Sequence, residues 1–211
     1  PHKSSYDRYY LLVNSGLEQP QTVHSDRYDY NFAYGASSYS KGSVFMAQLE
    51  YIIGKENMAK TIKRYYGEFK FKHPTPNDFK RVAEKVSDME LEWYLNDWTR
   101  TTNTVDYGLD ISSLSDDRSI SVKRKGRMPM PLEIEVSYED GSSLLYYIPN
   151  DLMHGLKSFD AKNVVQMEAW GWASPEYSFQ DITDKKITKV EIDPSKTLAD
   201  VNQIDNSFTI E

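Results

Sequence analysis

The feature that most constrains the fold of this chain is a change of hydrophobic period near residue 104. Before it, apolar residues recur at helical spacing, as with Phe45, Leu49, Ile52 and Ile53 at i, i+4, i+7 and i+8. After it the period is two. In "PLEIEVSYEDG", Leu132, Ile134, Val136 and Tyr138 alternate with Glu133, Glu135 and Ser137, and Asp140-Gly141 supplies a hairpin signal. One kind of element cannot satisfy both periods. The sequence therefore predicts an α+β protein of two units, a helical one over 1–104 and an immunoglobulin-like antiparallel β-sandwich over 105–211. Its 211 residues suffice for two small cores.

Four helices are expected in the first unit. One carries Phe45 to Ile53 and closes at Gly54, where a left-handed cap belongs. A second presents Met58, Ile62, Tyr65, Tyr66 and Phe69 on one face. The third opens at "TPNDF", with Thr75 as N-cap, Pro76 at the first helical position and Asp78 in the first turn, then buries Phe79, Val82, Ala83 and Val86. The fourth follows "SDME", read as a capping box between Ser87 and Glu90, and carries Leu91, Tyr94, Leu95 and Trp98. In the second unit, about seven short strands punctuated by Gly, Pro and Asp read as a sandwich: "YGLDIS", "SISVKR", "PLEIEVSY", "SLLYYIP", "VVQMEAW", "EYSFQDI" and "KITKVEI".

Charge and composition narrow the function classes. Residues 1–104 hold 14 Lys+Arg against 13 Asp+Glu and residues 105–211 hold 11 against 19, so local net charges of +1 and -8 give the total of -7. That balance argues against a nucleic-acid partner, which demands a concentrated basic surface. The one basic cluster, "KRKGR" at 123–127, reads as a solvated strand end and turn. No run of about 18 apolar residues is present, so no membrane-spanning segment is expected, nor does the chain open on a secretory leader. Zero cysteines remove disulfides and thiolate chemistry.

Two catalytic arrangements are weak on the residues alone. His2, His24, His73 and His154 are scattered, no HExxH occurs, and His24 with Asp26 is a lone HxD best read as a loop. No metal site is expected in this chain. Ser38-Tyr39-Ser40-Lys41 fits the S-x-x-K of serine acyltransferases, but the S-D-N loop and K-T-G strand of that chemistry are missing.

The stretch "YSKGSVFMAQLEYIIGKENMAKTIKRYYGEFKFKHPTPNDFKRVAEKVSDMELEWYLNDWTR" resembles the aminopeptidase N-type zinc metallopeptidases, the gluzincins, from their Y-x-K-G to the end of the catalytic domain. "GRMPMPLEIEVSYEDG" and "EIDPSKTLADVNQIDN" are similar to the β-sandwich that follows it. The resemblance implies that 1–104 is the C-terminal helical part of a thermolysin-like catalytic domain and 105–211 a sandwich domain. It also implies a peptide substrate and zinc in the full-length parent.

In that family the Y-x-K-G tyrosine is catalytic, and here it falls on Tyr39. The chemistry is sound: water adding to a peptide carbonyl creates an oxyanion, and a phenol, with an ordinary pKa of about 10, can donate to it at neutral pH without adding charge. Tyr34, Lys41 and Gly42 are expected as active-site neighbours. Lys41 also reads as a solvated side chain, Tyr34 as a structural aromatic, and Gly42 near a helix start as a point of close backbone approach.

The family's HExxH helix and glutamate ligand are missing from these residues, and the chain begins 38 residues before Tyr39. A C-terminal fragment of a peptidase, inert by itself, is the expectation. A noncatalytic peptide- or protein-binding module is the alternative, as is a sandwich that binds carbohydrate through the aromatics of "WGWASPEYSF".

Overall fold

The computed structural model describes residues 2–110, 118–159 and 162–210. It is an α+β chain, helical first and sheet second. Two compact units emerge, Pro1–Asn103 with Leu152–Ser158, and Thr104–Asp151 with Phe159–Glu211. No helix among the described residues is long and apolar enough to cross a membrane.

The helical unit contains α1 (Lys3–Ser15), α2 (Asn31–Gly35), a π-helical turn (Ala36–Lys41), α3 (Gly42–Ile53), α4 (Lys55–Phe69), α5 (Pro76–Ser87) and α6 (Glu92–Arg100). Helices α3 to α6 correspond to the four expected. Gly54 ends α3 with its N–H donating to Glu50 O, but at φ 83° and ψ 154° it is outside the left-handed helical conformation expected of it. Thr75 and Asp78 form a capping box at the start of α5, where Pro76 costs nothing because its N–H would have no helical partner. The capping box assigned to Ser87 and Glu90 does not form. Ser87 is the last residue of α5 and its hydroxyl donates to Ala83 O, while the Glu90 N–H donates to Met153 O. Asp88, at φ 57° and ψ 40°, breaks the helix instead, and Leu91 N–H finds the Glu84 carboxylate at 3.0 Å. The core is aromatic. Trp98, Tyr9, Tyr94 and Leu12 are fully buried, with Phe45 stacked on Tyr94 at 4.9 Å and Tyr9 on Trp98 at 5.7 Å.

In the sandwich unit the strands are β1 (Tyr107–Asp110), β2 (Ser119–Arg124), β3 (Leu132–Tyr138), β4 (Ser143–Ile148), β5 (Val164–Gln166), β6 (Glu176–Gln180), β7 (Ile187–Ile192) and β8 (Ser207–Thr209). One sheet has the order β1-β2-β6 and the other β5-β4-β3-β7-β8. Residues 111–112, the end of the first expected strand, lie outside the described residues. One pairing departs from the antiparallel expectation: β5 runs parallel to β4, with Tyr146 opposite Val165. A hairpin turn cannot make a parallel pair, and residues 149–163 provide the long crossover it requires. The sheets meet through Tyr146 and Phe179, 4.8 Å apart, and Tyr138 and Tyr146 both donate to the buried Asp181 carboxylate.

Candidate active-site turn

Tyr39 lies inside the π-helical turn between α2 and α3. The turn buries Ala36, Ser37, Ser40 and Lys41 on its inward face. The intervening positions, Ser38 and Tyr39, face out. Tyr39 is 79% exposed and its hydroxyl has no hydrogen-bond partner among the described residues. π-helical turns of this kind occur frequently at functional sites, where a less regular backbone is retained.

The exposed neighbours are aromatic. Tyr34 is partly exposed and meets the Tyr28 ring edge-on at 5.5 Å, and Tyr30 and Phe32 precede it on the surface. Beside the turn, Gln21, Ser38, Tyr28, Phe45 and Phe79 line a cleft of about 410 Å³.

Lys41 is the largest departure from the sequence reading. It is not solvated: it is 0% exposed, and its ammonium donates to Glu18 Oε1 at 2.7 Å and to Thr101 O at 3.4 Å. It also sits 5.7 Å from the centre of the Trp98 ring. A buried ammonium without a counter-charge would cost several kcal/mol, so Glu18 is what allows Lys41 inside. With its proton-bearing nitrogen committed to Glu18, Lys41 is no base for Ser38, which removes the S-x-x-K reading. Gly42 is likewise corrected. It has ordinary helical angles, and an added Cβ would meet only Gln21 Nε2 at 3.9 Å, so no close backbone approach calls for glycine.

The turn's carbonyls find donors from outside the helix. Gln21 Nε2 donates to Ser37 O at 2.7 Å, and Trp98 Nε1 to Lys41 O at 3.3 Å. Glu18, Gln21 and Trp98 therefore support the turn, and the sequence offered no sign of the first two.

Elsewhere the expected minor features resolve simply. His24 and Asp26 make a surface contact, Asp26 N–H to His24 Nδ1 at 3.3 Å. No group of three His, Cys, Asp or Glu that could hold a metal exists among the described residues. The "KRKGR" cluster is met by carboxylates, Lys123 by Asp110 and Lys125 by Asp205. Trp170 is buried with its indole N–H on Ser174 O, which removes it from sugar stacking, while Trp172 stays 56% exposed.

Comparison with known proteins agrees with the Y-x-K-G resemblance. Residues 12–98 match the model of the peptidase family M1 domain, which spans the turn and runs from α1 to Trp98. No curated protein matches the chain. Among 63 chains of solved structures that do, one is Legionella pneumophila aminopeptidase A in complex with aspartic acid, at 13% identity and a TM-score of 0.46. That alignment covers 92% of this chain and 21% of the other, so this chain spans about a fifth of that protein's length.

Proposed function

We propose that this chain is part of a zinc-dependent aminopeptidase, one that releases N-terminal residues from peptides, and that Tyr39 is its oxyanion-stabilising group. Residues 1–104 are then the end of the catalytic domain and 105–211 the sandwich that follows it. The observation that carries the reading is Tyr39 itself, an exposed phenol with no partner among the described residues, on a π-helical turn inside the stretch that matches the M1 domain.

The residues of this chain do not fit a zinc ion, since among those described no three candidate ligands converge. Tyr39 has a separate task. As water adds to the peptide carbonyl, negative charge gathers on its oxygen, and the Tyr39 O–H donates to it while remaining protonated. The hydrogen bond strengthens as the charge develops, so it lowers the barrier more than it tightens substrate binding.

The test is a comparison of two proteins on an aminoacyl anilide. A protein carrying this chain together with a zinc site should release the amine, whereas the 211-residue chain alone should not, even with zinc supplied, and should keep little zinc after dialysis. Stoichiometric zinc retained by the isolated chain would contradict the assignment.

A further inference from the structure

Tyr39 can serve only if its turn holds its register, and a π turn has an alternative. Expelling one residue would restore a continuous α-helix and rotate Tyr39 against α3 by about 100°. The competing α-helical register is ordinarily the more favourable backbone, so something must oppose it.

Three side chains do. Glu18 and Gln21 come from the segment after α1, and Trp98 from α6. Glu18 holds Lys41, the last residue of the turn, by an ion pair at 2.7 Å in which the Lys41 side chain is fully buried and the Glu18 side chain nearly so. Gln21 and Trp98 donate to the carbonyls of Ser37 and Lys41, near its two ends. Restoring the α-helix would pull Ser37 O from Gln21 and carry the Lys41 ammonium away from a carboxylate that is itself nearly buried.

We propose that Glu18 and Gln21 are positioning residues, which act with Lys41 and Trp98 to lock the 36–41 turn in the π register and so set the direction of the Tyr39 phenol. This rests on the catalytic reading of Tyr39 for its consequence, but not for its geometry. Neither residue lies within the Y-x-K-G motif. Both act on Tyr39 through the backbone.

The test uses fluorotyrosine placed at position 39 of the 211-residue chain, with ¹⁹F spectra of the unmutated protein, Glu18→Gln and Gln21→Met. The unmutated chain should give one resonance, and each variant a second or a displaced one, from the rotated register. In the zinc-bearing protein both variants should lower kcat, by up to about 10²-fold for a misplaced group, with KM and zinc content little changed. An unshifted single resonance in both variants, or an equal rise in KM, would overturn the proposal and leave the ion pair as plain core. Should Glu18→Gln not fold, Gln21→Met decides, because Gln21 is only partly buried and its loss leaves no charge unpaired. Normal turnover in Tyr39→Phe would remove the catalytic reading and leave the spectra to stand by themselves.

Discussion

Asp200 shows how far a single side chain can oppose the fold that contains it. It is 1% exposed, accepts from the N–H groups of Tyr107 and Asn202, and burial, the larger influence, pushes its carboxyl up to about 6. A carboxyl whose pKa rises on folding destabilises the native state above that pKa. The penalty is largest at neutral pH, shrinks as pH falls through 6, and vanishes below the ordinary value of 3.8. Relative to Asp200→Asn, the unmutated chain should therefore gain roughly 2 to 3 kcal/mol between pH 7.5 and pH 4, read from paired denaturant titrations. A difference that stays flat across that window would show that the N–H groups fully offset burial. The same scale explains why Lys41 was misread. Lysine is almost never fully buried unless paired, and its partner Glu18, 23 residues earlier, leaves no local mark in the sequence.

Elements were legible where their signals are local. Thr75-Pro76-x-Asp78 announces α5 because the cap needs only neighbours in sequence, and Thr75→Ala should cost about 1 kcal/mol in a chemical melt. Glu90→Ala, on an exposed residue whose side chain caps nothing, should stay within about 0.5 kcal/mol. A loss of about 1 kcal/mol there instead would restore the rejected capping box. The helix α1 was not anticipated because its buried residues are only Tyr9 and Leu12, too few for a periodic signal. The π turn hides for a different reason: its buried face is Ala36, Ser37, Ser40 and Lys41, small or polar residues that leave no hydrophobic pattern to read. β8 has three residues, and the parallel course of β5 follows from a crossover that pattern reading does not order in space.

On the scale of the whole molecule, the change of period near residue 104 did announce a helical unit and a sandwich, since each period buries its own kind of face. What the sequence could not supply was the support of the Tyr39 turn, because Glu18, Gln21 and Trp98 converge only in three dimensions. The central claim is that the phenolic O–H, and nothing else about Tyr39, serves the reaction. Being 79% exposed, the ring contributes little to packing, so Tyr39→Phe should leave stability within about 0.5 kcal/mol. In the zinc-bearing protein the same substitution should lower kcat/KM on an aminoacyl substrate by about 10² or more, the usual worth of one oxyanion donor, with the loss in kcat rather than KM. Near-normal turnover by the phenylalanine variant, at unchanged zinc content, would contradict the account.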